Sequence, residues 1–418
     1  MPDVPDASLE AERQRLKSLK LGPADFQREL GDACYQRGHV AQAAEAYRKA
    51  IAHNPKHVAA LCNLGAALVQ LKRFDEAADA CRRAAALRPD AATYANLAAA
   101  LSMLDKLDEA TAACDTALAL DPRCSTALTN LGGLLNRLGD YRQAEARFRR
   151  SLAIDPRDAS ALHGLGFALD RTGDRAGAVA AMEAALAVRE EPAWRFEVEA
   201  MKGSAAPASP PAEYVTALFD QSAATFDQAL KELGYVIPGE VLRAVTAVRS
   251  DGGGAGGWDV IDLGCGTGLS GEAFRPLAHR LVGVDLSPKM VALARQRGIY
   301  DELHVGDMLR HLDSPERYDL VLACDVFIYV GDLSGTFAAA AKALRRGGLF
   351  AFSVEADDGD AFCLRPDTRR YAHSEPYLRD LAAQHGMRVD SITRSTLRRE
   401  GGNDVTGMIA VLAAAAGA

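Results

Sequence analysis

Apolar positions in the first half of the chain recur at the spacing of amphipathic helices, and the whole pattern repeats every 33 or 34 residues. Pairs of a leucine and a small residue begin at Leu30, Leu64, Leu97, Leu131 and Leu165. Prolines keep the same phase, at Pro55, Pro89, Pro122 and Pro156. Because proline cannot continue a helix, each one marks the end of a unit. The period predicts five helix–turn–helix units.

Small residues at fixed places in each unit predict close contact between its two helices. The residue after each leucine is Gly31, Gly65, Ala98, Gly132 or Gly166. Larger side chains recur in phase on the second helix, as Tyr47, Cys81, Cys114, Phe148 and Met182. One unit cannot bury its own apolar stripe, so the five are expected to stack into an α-solenoid. The pattern resembles the tetratricopeptide repeat over residues 24–192, and residues 1–23 are expected to form a capping helix.

Three asparagines occupy the same place in successive units, at Asn63, Asn96 and Asn130. Stacking would align them along the inner face of the solenoid, where an amide can both donate to and accept from a peptide backbone. They are therefore candidates for binding a protein or peptide partner. The alternative is that asparagine is a common filler at this place in the repeat. The first and fifth units carry Glu29 and Gly164 instead, so any groove would be short.

The second half of the chain alternates short apolar runs with amphipathic stretches. Buried strands are predicted at residues 258–263, 280–285, 302–305, 318–323 and 349–354, with helices beginning near residues 268, 287 and 333. This alternation predicts an α/β domain, a mostly parallel sheet with helices on both faces. Ligands of such sheets bind at the carboxyl ends of the strands. We place the domain at residues 214–418 and a linker, rich in Ala, Pro and Ser, at residues 193–213.

Glycines and acidic residues follow the first three predicted strands. The first strand runs into a Gly-x-Gly-x-Gly bend at Gly264, Gly266 and Gly268, which differs from the Gly-x-Gly-x-x-Gly of dinucleotide enzymes. Asp285 ends the second strand, where a carboxylate can accept the hydroxyls of a ribose. Asp307 follows the third strand, where a carboxylate can accept from an exocyclic amine such as that of adenine.

These motifs, with residues 287–290 and 318–321, resemble the class I S-adenosylmethionine (SAM)-dependent methyltransferases, which have a Rossmann-like fold. The resemblance covers residues 214–418 and implies SAM as the cofactor. Residues 218–227 and 233–238 resemble the cap helices of ubiquinone-biosynthesis-like methyltransferases, which implies that Phe226 and Tyr235 line the SAM site. The cofactor residues implied together are Asp262, Gly264, Cys265, Gly266, Gly268, Asp285, Leu286, Met290, Asp307, Met308, Phe226 and Tyr235.

A general base is required for methyl transfer only if the acceptor arrives protonated. The loops after the fourth and fifth strands offer the catalytic candidates His373, Tyr371, Asp325 and Tyr329. His373 is preferred, because imidazole titrates near neutral pH. The alternatives are that His373 caps a helix or makes a structural hydrogen bond, that Tyr371 packs against a lid, and that Asp325 ends a strand.

Composition and charge remove several function classes. Lys and Arg number 48 and Asp and Glu 56, giving a net charge of 48 − 56 = −8, so general affinity for nucleic acid or an anionic membrane is not expected. No run of 18 apolar residues predicts a membrane span. The first twenty residues lack an apolar signal core, so we expect a cytoplasmic protein. Histidines are scattered, and no metal site is predicted.

Three functional hypotheses remain. The first is a SAM-dependent methyltransferase whose repeats recruit a protein or peptide acceptor. The second is a methyltransferase for a small molecule, such as a quinone or a secondary metabolite, with the repeats serving assembly. The third is a scaffold that binds SAM without turnover. The sequence does not determine the methyl acceptor or the oligomeric state.

Overall fold

The computed structural model describes residues 7–203, 207–249, 257–400 and 402–414. Contacts divide the chain into two compact units, Met1–Glu190 and Glu191–Ala418. The first unit consists of helices, which are α1 Ala7–Ser18, α2 Pro23–Gln36, α3 Val40–His53, α4 Val58–Gln70, α5 Phe74–Leu87, α6 Ala91–Met103, α7 Leu107–Leu120, α8 Ser125–Arg137, α9 Tyr141–Leu152, α10 Ala159–Thr172 and α11 Arg175–Val188. From α2 onward they form five hairpins, as the period predicts. α1 occupies part of the segment expected to be a capping helix, whose residues 1–6 lie outside the described residues.

The small residues of the repeat bring the two helices of each hairpin together. A Cβ atom added at Gly31 would lie 2.5 Å from the ring of Tyr47, and one added at Gly132 would lie 2.7 Å from the ring of Phe148. Both rings are almost completely buried. Each proline of the repeat follows within four residues of the end of a second helix; α5, for example, ends at Leu87, before Pro89. The predicted role of both residue types is therefore confirmed.

The second unit begins with helices in a segment that the sequence analysis assigned to a linker. Residues 192–202 form α12 (Pro192–Lys202), which buries Phe196, Val198 and Met201. The ring of Phe196 lies 5.0 Å from that of Tyr214. The expected linker at 193–213 is thus largely part of the second unit, because its first half is amphipathic. The helices that follow are α13 Ala212–Ser222, α14 Phe226–Glu232 and α15 Ile237–Val248.

A mixed nine-stranded sheet forms the core of the second unit. Its strands are β1 Trp258–Leu263, β2 Ala278–Asp285, β3 Glu302–Val305, β4 Tyr318–Ala323, β5 Leu344–Asp357, β6 Phe362–Arg365, β7 Arg370–Ser374, β8 Met387–Glu400 and β9 Asn403–Ala414. The strand order β3-β2-β1-β4-β5 is parallel throughout. The order reverses between β1 and β4, and ligands of doubly wound folds bind at such a point.

The helices between the strands cover both faces of the sheet and bury its apolar side chains. They are α16 Leu269–Phe274, α17 Pro288–Arg297, α18 Met308–Leu312, α19 Ser334–Ala343 and α20 Glu375–Gln384. The five predicted strands are all present, and the predicted α-solenoid followed by a Rossmann-like α/β domain is confirmed. Beyond the prediction, β9 pairs antiparallel with both β5 and β8, and the end of β5 pairs parallel with β7. Within the described ranges, no helix combines the length and apolar character needed to cross a membrane.

Candidate functional site

The bend after β1 has the backbone conformation that its glycines permit. Gly264, Gly266 and Gly268 have φ angles of 61°, 53° and 101°, in the left-handed region that side chains disfavour. A Cβ atom added at Gly264 would lie 2.6 Å from the side chain of Val326. The amide of Cys265 donates to the carbonyl of Val284 at 3.0 Å, which fixes the bend to the end of β2.

Asp285, the last residue of β2, ties the bend to the helix that follows. Its Oδ2 accepts from the amide of Gly266 at 2.9 Å, and its Oδ1 accepts from the amide of Ser287 at 2.8 Å. Burial raises the pKa of Asp285, and these two amides oppose the rise. Since each carboxylate oxygen has two lone pairs, both oxygens can accept a further hydrogen bond from a ligand.

Asp307 follows β3 and caps the short helix α18. Its Oδ1 accepts from the amides of Leu309 at 2.8 Å and Arg310 at 3.1 Å. The next residue, Met308, contributes an apolar side chain to the same wall. The cap fixes the carboxylate at the tip of the strand next to the one that carries Asp285.

A cavity of about 550 Å³ opens at these strand ends. The predicted cofactor residues that line it are Gly264, Cys265, Gly266, Asp285, Leu286, Asp307, Met308, Phe226 and Tyr235. An acidic residue at each of two neighbouring strand tips, apolar side chains beside them and a bend without Cβ atoms suit a flat base and a ribose.

Three predicted cofactor residues do not line this cavity: Asp262, Gly268 and Met290. Asp262 is fully buried, and its Oδ2 accepts from the hydroxyls of Ser270 at 2.7 Å and Tyr300 at 2.6 Å. Burial raises its pKa to about 6. Asp262 therefore braces the bend from the sheet, and Met290 is buried in α17. The motifs predict that these residues lie near the cavity, but they do not predict which of them face it.

Two aspartates of the cap helices, Asp220 and Asp227, bind residues next to the glycine bend and at the start of α17. The sequence analysis gave them no role. Asp220 accepts from the hydroxyl of Ser287 at 2.5 Å. Asp227 accepts from the hydroxyl of Thr267 and forms an ion pair with Arg297. The signal was present, because both lie in the stretch that resembles a cap, residues 218–227.

Asp325 stands at the other end of the cavity, directly after β4. It has a φ angle of 61°, which is unfavourable for a residue with a side chain, and its amide donates to the hydroxyl of Ser353 at 2.8 Å. Its Oδ1 accepts from Nη1 of Arg398 at 3.1 Å. Burial raises the pKa of Asp325, and the charge of Arg398 opposes the rise. Asp325 and Tyr329 are thus the two predicted catalytic residues that line the cavity.

Arg398 is the centre of a buried ion cluster that the sequence analysis missed. Its side chain is 2% exposed and reaches three carboxylates, Asp325 at 3.1 Å, Glu400 at 2.7 Å and Glu355. Arg370 also pairs with Glu400, and both arginines line the cavity. The residues lie on β5, β7 and β8 or beside β4, so only the pairing of these strands brings them together.

His373 and Tyr371, the other two predicted catalytic residues, lie on β7 and are not among the residues that line the cavity, and their role in catalysis stays a prediction. Both are fully buried. Nε2 of His373 lies 2.9 Å from the carbonyl of Gly331, and the Tyr371 hydroxyl donates to the carbonyl of Pro207 at 2.8 Å. Side chains alternate along a strand, so the face that presents Arg370 to the cavity turns these two residues away from it. The contact of His373 with Gly331 agrees with the alternative that His373 makes a structural hydrogen bond.

The burial of His373 predicts a pH dependence of stability. Burial lowers its pKa to about 4, below the usual value of about 6.5. Between these values the unfolded chain binds more protons, so this residue's contribution to stability is lost as pH falls from 6.5 to 4, at up to about 1.4 kcal/mol per pH unit. Replacing His373 with Gln should remove this contribution. Urea unfolding followed by fluorescence of Trp194 and Trp258, both in the second unit, measures it.

The comparison with the wild type isolates His373, because Asp262 titrates in the same range with the opposite sign. Its raised pKa of about 6 favours the folded state at low pH, and that contribution is lost as pH rises. A stability difference between His373→Gln and the wild type that stays constant from pH 4.5 to 7 would contradict the assignment.

The three asparagines of the first unit make hydrogen bonds within that unit. Nδ2 of Asn63 donates to Asp32 at 2.7 Å, and Nδ2 of Asn130 donates to the carbonyl of Ala95 at 2.8 Å. Nδ2 of Asn96 lies 3.7 Å from the sulfur of Cys62. Each bond joins a repeat to the one before it, so these amides stabilise the stacking. Their role in binding a partner stays a prediction.

Replacing Asn130 with Ala should therefore lower the free energy of unfolding of the first unit by about 1 kcal/mol, because the hydrogen bond from its amide to the carbonyl of Ala95 is lost. Asn96→Ala is the matched control, since its bond to sulfur is weak. Urea unfolding followed by helical circular dichroism gives both values. Equal effects of the two substitutions would show that the Asn130 amide does not contribute to stacking.

Comparison with known families agrees with the two units. The family described as "Methyltransferase domain" matches residues 261–352. Families described as "Tetratricopeptide repeat" match residues 20–92, 90–157 and 123–191. The chain therefore contains tetratricopeptide repeats followed by a methyltransferase domain. The resemblance drawn from the motifs is confirmed at the level of both domains.

Individual relatives match only part of their length. The ubiquinone biosynthesis O-methyltransferase of Bradyrhizobium sp. (strain ORS 278) is 32% identical over 111 residues, 26% of this chain and 44% of the relative. The malonyl-[acyl-carrier protein] O-methyltransferase of Yersinia pestis is 30% identical over 102 residues, 24% of this chain and 38% of the relative. The chain thus matches less than half the length of these curated relatives.

Among solved structures, magnesium protoporphyrin IX methyltransferase from Synechocystis PCC 6803 with bound SAM is similar at 20% identity. The match covers 48% of this chain and 96% of that protein, with a TM-score of 0.38.

Proposed function

We propose that this protein is a SAM-dependent methyltransferase that methylates an oxygen of a small acceptor. The observation that carries the proposal is one cavity bounded by the glycine bend and two fixed carboxylates, Asp285 and Asp307, at one end and by Asp325 at the other. The names of the curated relatives, both O-methyltransferases, support an oxygen acceptor.

The residues present fit SAM. Asp285 would accept the ribose hydroxyls, and Asp307 would accept from the amine of the adenine. Leu286 and Met308 would pack against the base. When bound, SAM supplies an activated methyl group on a positively charged sulfur. Phe219 lies 5.9 Å from Phe226 and 5.2 Å from Tyr329, and these rings exclude water from the cavity between the cap and the sheet.

We assign Asp325 the role of general base. Its carboxylate lines the cavity, Arg398 fixes its orientation, and a raised pKa makes it a stronger base than an exposed aspartate. An acceptor hydroxyl in the cavity would pass its proton to Asp325 as its oxygen bonds to the methyl carbon. The bond between that carbon and the sulfur would break, and S-adenosylhomocysteine (SAH) would be the leaving group. Tyr329 and Arg370 bound the same end and would position the acceptor.

Replacing Asp325 with Asn should lower kcat by 10²- to 10⁴-fold while the affinity for SAM stays within a few-fold, because a general base acts on the acceptor. The measurement is transfer of labelled methyl from SAM, with calorimetry of SAH binding beside it. Full activity of Asp325→Asn would remove Asp325 from the reaction.

The acceptor is the finer part of the proposal. A cavity of about 550 Å³ that also has to hold the cofactor favours a small acceptor over a folded protein. The first hypothesis is that the repeats recruit a protein or peptide acceptor. The presence of a tetratricopeptide array in the same chain supports it. Incubating the full chain with labelled SAM and a cell extract, then separating macromolecules from small molecules, distinguishes the two. Label only in macromolecules would contradict a small acceptor, and SAH binding without label anywhere would favour a scaffold.

A further inference from the structure

Residues 207–211 and the first turn of α13 contribute to the lining of the cavity. Ala208, Ser209, Pro210, Ala212 and Val215 all line it, and Pro210 is buried. We call residues 207–215 the strap. The amides of Gly331 and Asp332 bind the strap and follow closely after Tyr329, so the strap lies beside the part of the cavity lining that carries Tyr329.

Three hydrogen bonds attach the strap to the domain. The carbonyl of Ala208 accepts from the amides of Gly331 and Asp332, each at 2.9 Å. The carbonyl of Pro207 accepts from the hydroxyl of Tyr371 at 2.8 Å. All three use carbonyls of two adjacent strap residues, Pro207 and Ala208. At the other end of the strap, the side chain of Tyr214 forms a hydrogen bond with Arg369, and its ring lies 5.0 Å from that of Phe196.

The loop that holds the strap is itself packed without spare room. A Cβ atom added at Gly331 would lie 2.5 Å from the ring of Tyr371 and 2.7 Å from that of Phe362. Nε2 of His373 lies 2.9 Å from the carbonyl of Gly331, and the amide of Gly331 donates to the carbonyl of Ala208 in the strap. Tyr371, His373 and Gly331 therefore form one rigid anchor.

We propose that Tyr371 and His373 are positioning residues that hold the strap closed over the acceptor end, and that an acceptor enters when the strap leaves this anchor. The inference rests on the proposed function for the identity of that end as the acceptor end. It gives a role to two buried polar side chains on β7 that have no access to the reacting groups.

The experiment measures access to the cavity through a thiol already present. Cys324 lies on the cavity wall and is 7% exposed, whereas Cys81 is fully buried in the first unit. Iodoacetamide is the probe, and alkylation of each cysteine is followed by peptide mass spectrometry. Tyr371→Phe removes only the hydroxyl that holds Pro207. Tyr318→Phe is the matched control, because its hydroxyl is bonded to Glu316 at 2.8 Å and its ring is equally buried.

We expect Tyr371→Phe to speed alkylation of Cys324 by about tenfold, the effect of losing one hydrogen bond of typical strength. Hydrogen exchange at the amides of Gly331 and Asp332 should accelerate to a similar extent. Tyr318→Phe should change neither rate, and the alkylation of Cys81 and the affinity for SAH should stay as in the wild type.

Unchanged exchange at Gly331 and Asp332 would show that Tyr371 does not hold the strap. Faster exchange without faster alkylation of Cys324 would show that the strap does not control access. A rise at Cys81 as well, or a loss of SAH affinity, would mean general loosening, and each of these results overturns the proposal. A wild-type protein that binds no SAH would instead refute the proposed function, while the two rates would still report on the strap.

Discussion

Replacing Asp285 with Ala should weaken SAH binding by at least about 100-fold. The substitution removes the carboxylate that we propose accepts two ribose hydroxyls, and a hydrogen bond to a charged group contributes about 1.5–3 kcal/mol. Two such bonds amount to at least about 3 kcal/mol, and each 1.4 kcal/mol is a factor of ten. The amide of Gly266 also loses its partner, so the bend loses its fixed conformation. Calorimetric titration with SAH gives the affinity.

Asp301→Ala is the matched control for Asp285→Ala. Oδ2 of Asp301 accepts from the amide of Leu281 on β2 and from Arg275, each at 2.7 Å, and Asp301 does not line the cavity. This variant should lose stability but keep its affinity for SAH. If both variants lost affinity equally, the effect of Asp285 would be structural. If Asp285→Ala kept its affinity, the assignment of the cofactor end would be wrong.

Replacing Arg398 with Ala should have the largest effect on folding. The guanidinium is 2% exposed and lies among Asp325, Glu355 and Glu400. Removing one partner of a buried ion pair leaves uncompensated charge and costs about 3–5 kcal/mol. At about 2–4 °C per kcal/mol for a domain of this size, Tm of the second unit should fall by roughly 10 °C. The fluorescence of its two tryptophans during heating measures this.

Arg394→Ala controls for the loss of an arginine on the same strand. Arg394 pairs with Asp358, and both side chains are at least half exposed, so its removal should leave Tm nearly unchanged. The pH dependence of Tm of Arg398→Ala gives a second test. The carboxylates left by Arg398→Ala are stable when protonated, so the variant should recover part of the loss as pH is lowered towards 5. Equal Tm values for the two variants would contradict the role given to the cluster.

The solenoid and the cofactor end are the parts of the molecule that the sequence predicts well, because both depend on local order. Gly31 and Tyr47 are 16 positions apart in a repeating phase. Asp285 lies two residues before Ser287, the N-cap of the helix that follows. A glycine or aspartate at the end of a strand can be recognised because a short apolar run precedes it in the sequence. The contacts follow once the parallel order is known.

Asp325 and Tyr329 were predicted, but the buried ion cluster around Arg398 escaped prediction because it depends on strand pairing over long distances. Arg398 reaches Asp325, 73 residues earlier, only because β9 joins β8 to β5. β8 carries many polar residues and lacks the apolar run by which the other strands were recognised. The side-chain direction of His373 could not be predicted for a related reason, because it depends on how β7 pairs with β5. The helix at 192–202 was hidden by the Ala- and Pro-rich composition of the residues after it.

The crystal structure of the full chain grown with SAH tests the central claim most directly. We expect the ribose hydroxyls within hydrogen-bond distance of Asp285, the adenine beside Asp307 and the sulfur facing the end of the cavity that holds Asp325. SAH bound at another place, or the adenosine turned towards Asp325, would contradict the assignment of the two ends.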